Sequence, residues 1–281
     1  MIEFQNVSKK LGKFQLQEIS FELPKGYIMG LVGPNGAGKT SLIHLMLGLY
    51  QPSQGMIHIF GNSFEEEPEA VLNKIGTVLS EELFDGDKNL LQNAAEYGQY
   101  YKEYSEETLK KYLVRFELEE KCKYKKMSRG EKLKFQFAFA LSHHPQLLIL
   151  DEPTGNFDPQ FREEFFKVLK EFIADGTKSV VLATHLTEDL DKVADYILYL
   201  EKGKSIFAGD IETLRDSYRM VAGEEYKVKL IRKEKIIHME KGKFGTKALV
   251  EHTKRSIYDK SLTVTIPSIE EIMYFMTKRG R

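Results

Sequence analysis

Short apolar runs rich in Val, Ile and Leu alternate along this chain with longer stretches in which apolar positions return at helical spacing. The first kind predicts buried β-strands and the second amphipathic helices. Strands are expected at 2–7 and 14–23, after which Pro24-Lys25-Gly26 turns the chain into a wholly apolar run at 28–32. A helix is expected over 41–49, ending near Gly48, then a turn at Pro52-Ser53-Gln54-Gly55 and strands at 56–60 and 75–79. From 89 to about 120 the pattern turns helical, with Leu109, Leu113 and Phe116 on one stripe among charged residues. Strand and helix then alternate, with strands at 147–150 and 179–184 and helices at 161–173 and 187–193. This order predicts an α/β fold, a mostly parallel sheet wrapped by helices, with an N-terminal antiparallel β part and a helical insert at about 85–130.

Beyond residue 219 the pattern fades into short runs at 226–231, 247–250 and 262–266. In the first, Lys alternates with Val, Leu and Ile, as on a short strand with one solvated face. Pro267-Ser268 opens a last helix at 269–278. A boundary near Met220 divides the chain into a main unit, 1–219, and a small α+β appendage, 220–281.

Composition adds limits. The 281 residues can bury a full core and suit two domains. The net charge of −1 names no partner, but the ends differ. From Gly223 to Arg281 there are 14 Lys and Arg against 8 Asp and Glu, an excess of 6 positive charges. The single cysteine, Cys122, excludes an intrachain disulfide, fits a reducing compartment and reads as a partly buried small hydrophobe. No stretch approaches the length of a membrane-spanning helix, and the first residues lack a secretion pattern. The chain therefore reads as cytoplasmic, held peripherally against the cytoplasmic face of a membrane by something else.

The sharpest chemistry lies in Gly33-Pro34-Asn35-Gly36-Ala37-Gly38-Lys39-Thr40, with Ser41 following. This is a P-loop, set between an apolar strand and a helix as that pattern requires. Its glycines let backbone N–H groups converge with the helix N-terminus on phosphates. Lys39 would reach the β and γ phosphates of ATP, and Thr40 would offer a hydroxyl to Mg²⁺. A second constellation is Asp151-Glu152, two carboxylates ending the apolar strand 147–150, where open α/β sheets hold ligands. Neighbours on a strand point opposite ways. Asp151 would complete the Mg²⁺ shell through water, while Glu152 would act as base toward the attacking water.

With these motifs in register, the chain resembles the nucleotide-binding subunits of ABC transporters over roughly residues 1–219. Met127-Ser128-Arg129-Gly130-Glu131 stands where that family carries its Leu-Ser-Gly-Gly-Gln-like signature, opening a helix at 132–142. Ser128 and Gly130 match; Arg129 replaces a glycine and Glu131 a glutamine. The resemblance implies a P-loop ATPase of ABC type whose signature acts in trans, two subunits burying each ATP head to tail. It also implies a D-loop at Gly155-Asn156-Phe157-Asp158, with Asn156 and Asp158 near the dimer interface, and a switch histidine at His185. Two departures stand out. Ser80, followed by Glu81, occupies the position of the family's Q-loop glutamine, and Leu11 that of its adenine-stacking aromatic, with Phe14 an alternative stacking residue.

The expected function is an Mg²⁺-dependent ATPase subunit, in a homodimer or heterodimer, driving a separate integral membrane permease. The Asp-Glu-Pro-Thr-Gly-Asn-Phe-Asp-Pro run and the short appendage resemble subunits paired with small type-2 exporter permeases. The helical insert, with Glu82, Leu83 and Phe84, would form the coupling surface. A soluble ATPase acting on nucleic acid or ribosomes is the alternative; the basic end would support it, but no long coiled-coil insertion or second cassette accompanies it, so no nucleic-acid partner is expected.

Overall fold

The computed structural model describes residues 1–64, 66–242, 245–254 and 256–278, so the last three residues of the appendage lie outside it. The chain opens with β1 (Ile2–Leu11), β2 (Phe14–Leu23), β3 (Ile28–Val32) and α1 (Lys39–Met46), then β4 (Gln54–Ile59), β5 (Asn62–Ser63), α2 (Pro68–Leu72) and β6 (Ile75–Val78). The helical insert holds α3 (Leu90–Gly98) and α4 (Glu106–Arg115); α5 (Arg129–Ser142) leads back to β7 (Leu147–Asp151). Next come α6 (Pro159–Ile173), β8 (Ser179–Ala183), α7 (Thr187–Val193), β9 (Tyr196–Glu201) and β10 (Lys204–Asp210). The remainder is α8 (Ile211–Ser217), β11 (Tyr218–Gly223), α9 (Glu225–Val228), β12 (Ile236–Gly242), β13 (Gly245–Glu251), β14 (Thr263–Thr265) and α10 (Ile269–Thr277).

The larger sheet runs β5-β4-β1-β2-β10-β9-β3-β8-β7-β6. The strands from β9 to β6 in this order pair in parallel, whereas β1 pairs antiparallel with both β2 and β4. The parallel strands bury both faces, which explains their unbroken apolar runs. Alternate residues enter opposite cores: Leu148, Leu150, Val180 and Leu182 face α5 and α6, and Leu147, Ile149, Val181 and Ala183 face α1. That alternation sends Asp151, next in step with Ile149, toward α1.

Among the segments that differ from the sequence expectation, two change the reading of the fold most. Residues 196–210 carry no predicted element, yet they form the hairpin β9–β10, and β9 lies beside β3 in the interior of the sheet. Its turn holds Lys202 and Gly203 at φ 49° and 77°, the doubly positive backbone of a tight hairpin. Residues 226–231, expected as a strand, instead contain the helical turn α9. On a strand Val228 and Leu230 would share a face; here Val228 is buried and Leu230 is 76% exposed. A Glu225–Lys229 ion pair at helical spacing, 2.6 Å, favours the turn.

A second, antiparallel sheet has the order β12-β13-β11-β14, and Met220 sits inside β11. Val221, Val228, Ala248, Val250 and Leu262 give it a small core of its own. Ile269, Ile272, Phe275 and Met276 of α10 join the main core, where α10 packs on α7. No described helix is long and apolar enough to cross a membrane.

Candidate functional site

β3 ends at Val32, and the chain then loops over the end of the parallel sheet before entering α1. Gly38 caps the helix with φ 114°, and a Cβ there would lie 2.6 Å from the Leu16 side chain, so only glycine lets the loop close on β2. The result is a cavity of about 520 Å³ lined by the loop from Asn35 to Ser41 and by Phe14, His44, Leu79, Ser80, Glu81, Asp151 and Glu152. Free amides at a helix N-terminus and a lysine facing one opening make an anion site. Lys39, only 8% exposed, donates to the Gly33 carbonyl at 2.9 Å and lies 3.6 Å from Glu152.

Across the cavity, β7 delivers its two acids to different tasks. Asp151 is buried and accepts a hydrogen bond from the Thr40 hydroxyl at 3.3 Å through Oδ2. Its Oδ1 is buried without a hydrogen-bond partner. Burial raises its pKa, partly offset by the Thr40 hydroxyl. An unsatisfied carboxylate oxygen beside a hydroxyl is a hard-oxygen donor set that suits Mg²⁺ with phosphate and water completing the shell. Among the described residues no group of three or more His, Cys, Asp and Glu is placed to hold a metal ion.

Glu152 leaves the strand with φ 51°, a left-handed conformation that turns its side chain out of the sheet. Its Oε2 lies 2.6 Å from His185 Nδ1 and accepts the His185 backbone N–H at 3.2 Å. Glutamate, histidine and lysine thus converge from three loops at the strand ends. Behind them, Asp189 of α7 is buried; it accepts from the Thr154 hydroxyl at 2.9 Å and from Arg162 at 2.8 Å. Those bonds tie the segment after Glu152 to the helix after His185.

Ser128-Arg129-Gly130-Glu131 opens α5 three residues earlier than expected. Ser128 Oγ accepts from the Glu131 amide at 3.2 Å, and the Glu131 carboxylate accepts from the Ser128 amide at 2.7 Å. This capping box holds the Glu131 pKa low and orders the helix end. None of the four residues lines the phosphate cavity of their own chain. Gly130 faces the D-loop segment instead: a Cβ on it would meet the Asn156 carbonyl at 2.6 Å. Asp158 caps α6 by accepting from the Phe161 amide at 2.8 Å, which lowers its pKa, and Lys134 of α5 lies 3.3 Å away.

Ser80 and Glu81 both line the cavity, and the Ser80 hydroxyl donates to the Asp151 carbonyl at 3.3 Å. Phe14, weighed above as a stacking residue, also lines it; Leu11 does not. His44, Gln136 and Asp189 were not marked by sequence. His44 follows Thr40 by one helical turn, a spacing that would have brought it to notice.

The family model for ABC transporters matches residues 16–155. The Nod factor export ATP-binding protein I of Burkholderia lata is 33% identical over 222 residues, which cover 77% of this chain and 73% of that one. Its Sinorhizobium fredii namesake is 34% identical, covering 76% and 64%. An uncharacterized ABC transporter ATP-binding protein of Bacillus subtilis, YdbJ, is 31% identical, covering 73% and 67%. Among solved structures, an ATP-binding subunit of an ABC transporter superposes with a TM-score of 0.71 at 23% identity, covering 76% of this chain and 92% of that one. A dimeric ATP-binding cassette in a post-hydrolysis state, bound to ADP and phosphate, gives 0.66 at 23% identity, covering 75% and 99%. The P-loop, the strand-end acids and these likenesses agree, and the chain belongs to the ABC transporter family as one of its ATP-binding, ATP-hydrolysing subunits.

Proposed function

We propose that this subunit drives export through a separate membrane permease, hydrolysing ATP between two cassettes at the cytoplasmic face of the membrane. The observation that carries the hydrolytic reading is Glu152, held 2.6 Å from His185 and 3.6 Å from Lys39 at the mouth of the P-loop cavity. The loop amides and Lys39 bind the phosphates, and Thr40 and Asp151 would hold Mg²⁺. Once bound there, the ion would supply neutralisation of phosphate charge. Glu152 orients a water and takes its proton as the water oxygen bonds to the γ phosphorus and the bond to the β-phosphate oxygen breaks. His185 keeps the Glu152 carboxylate aimed. Ser80 and Glu81 close the side of the cavity, and Phe14 offers an aromatic face to adenine.

A head-to-tail dimer accounts for a signature that lies outside its own cavity. In that arrangement Ser128 and the α5 N-terminus cap the γ phosphate of the other subunit, with Asn156 and Asp158 beside the seam. The groove for the permease is the apolar hollow between β6 and the helical insert, about 780 Å³, which includes Leu83, Phe84, Tyr100 and Phe139. Export as the direction draws support from the relatives named for Nod factor export. The appendage expected at 220–281 would serve as an accessory unit, anchored to the main core through α10.

Replacing Glu152 with Gln is expected to retain nucleotide while slowing steady-state hydrolysis roughly 10²–10⁴-fold. Hydrolysis at the parent rate would remove Glu152 as the base.

A further inference from the structure

Gln136 lies in the middle of α5, 3% exposed, between Phe135 and Phe137. A buried carboxamide needs partners for both ends, and this one finds them outside its own helix. Its Oε1 accepts the Leu79 backbone N–H at 2.9 Å, and its Nε2 donates to the Glu81 carbonyl at 3.0 Å. Both partners belong to the segment that lines the phosphate cavity. That segment begins where β6, at the sheet's edge, ends its pairing with β7 at Val78. Past Val78, Gln136 takes over the pairing that a neighbouring strand would provide.

The same helix reaches the segment once more, one turn earlier, where Lys132 pairs with Glu82. From the other side, the Ser80 hydroxyl holds the Asp151 carbonyl. Residues 79–82 are therefore strung between β7, which supplies Asp151 and Glu152, and α5, which supplies Ser128. Gln136 stands eight residues from Ser128, about 12 Å along a rigid helix. Any rotation of α5 that moves Ser128 must also pull on the amide of Leu79 and the carbonyl of Glu81.

We propose that Gln136 is a positioning residue for ATP hydrolysis, fixing the cavity wall at Leu79–Glu81 to the signature helix so that the two move as one body. The inference rests on the hydrolytic reading above and adds a residue to it. Its action is on the arrangement reached during turnover, because its carboxamide does not line the phosphate cavity.

The test compares the full-length parent with Gln136→Leu, Gln136→Glu and Glu152→Gln, each titrated for ATP-binding sites so that rates are expressed per competent molecule. Gln136→Leu, of similar volume and unable to make either bond, is expected to lower kcat for Mg-ATP ~10–100-fold, the scale of an ångström-size misplacement. The KM for ATP should change less than about 2-fold, because the phosphate loop is untouched. At alkaline pH, where the introduced carboxyl is ionised, Gln136→Glu retains the acceptor for Leu79 but loses the donor to Glu81, so its kcat should fall between. Hydrogen exchange at the Leu79 amide should quicken in Gln136→Leu and stay near the parent rate in Gln136→Glu.

A purely structural glutamine would lower the melting temperature and the competent fraction while leaving kcat per site unchanged; that result overturns the proposal. Should Gln136→Leu not fold, parent kcat per site in Gln136→Glu at alkaline pH overturns it equally. If Glu152→Gln itself hydrolyses at the parent rate, the underlying site assignment fails instead, which keeps the two failures apart.

Discussion

The two walls of the nucleotide cavity are built in different ways. On the phosphate-loop wall, consecutive residues from Gly33 to Ser41 do nearly everything, and their geometry follows from glycine backbone freedom and the start of a helix. The opposite wall, residues 79–82, has no structure of its own. It is held by Gln136 from 55 to 57 positions away, by Lys132 and by the carbonyl of Asp151. A local wall is robust to what the rest of the molecule does, whereas a wall tied to a distant helix follows that helix's position. On the function proposed above, the first side would grip the nucleotide and the second would respond to α5.

The division predicts that damage on the first wall is read as lost nucleotide affinity, damage at Gln136 as lost turnover, and damage elsewhere on α5 as lost stability or changed pH dependence. The largest effect should come from Lys39→Ala. Removing a nearly buried ammonium from a phosphate site is expected to weaken ATP binding by about 2–5 kcal/mol, with the melting temperature without nucleotide little changed. Equilibrium binding of a fluorescent ATP analogue checks it; parent affinity would break the comparison at its strongest point.

Next comes His143, which caps the end of α5 and stacks on Tyr101 at 3.9 Å with its Nδ1 buried and unpartnered. Burial pushes its pKa down to about 4, with adjacent His144 acting in the same direction. The unfolded chain binds this proton from about pH 6.5 downward while the folded chain resists until about pH 4. Stability from neutral His143 is therefore full above pH 6.5 and lost as pH falls to about 4, at most roughly 3 kcal/mol. His143→Phe should flatten the fall in melting temperature over that window, and an unchanged slope would assign the acid limb elsewhere.

Gly130→Ala should follow, at about 1–3 kcal/mol, since the added methyl meets the Asn156 carbonyl. Urea unfolding measures the loss, and a parent midpoint would mean that α5 and the D-loop separate without cost. The smallest effect is Ser128→Ala, about 1 kcal/mol from the broken capping box. If ATP-driven dimerisation survives that change at parent affinity, Ser128 serves its own helix and not a neighbour's phosphate.

Much of this was legible in the sequence, for reasons that differ by residue. Lys39 and Thr40 were readable because the P-loop is a local device, and Asp151 and Glu152 because a buried strand alternates its side chains and ends in charge. Ser128 and Gly130 were readable as matches to a family signature, whereas the capping box between Ser128 and Glu131 came from the structure. The hairpin at 196–210 carried a usable signal, apolar runs around Lys202-Gly203, but nothing local says that β9 belongs next to β3. The stretch at 226–231 misled because alternating Lys and aliphatic residues suit a strand until tertiary burial selects Val228 and leaves Leu230 outside. Gln136 gave no signal at all: a glutamine on a helix is ordinary until its surroundings are known to be dry.

The sequence by itself determined the P-loop and the two acids that end β7, because those features join neighbours in the chain, whose relative positions are set by backbone geometry. Only the tertiary structure decided what holds Glu152 against His185, what ties residues 79–82 to α5, and that α10 packs on α7. Those are contacts between segments far apart in the chain, chosen by burial of the whole, and no local pattern encodes them.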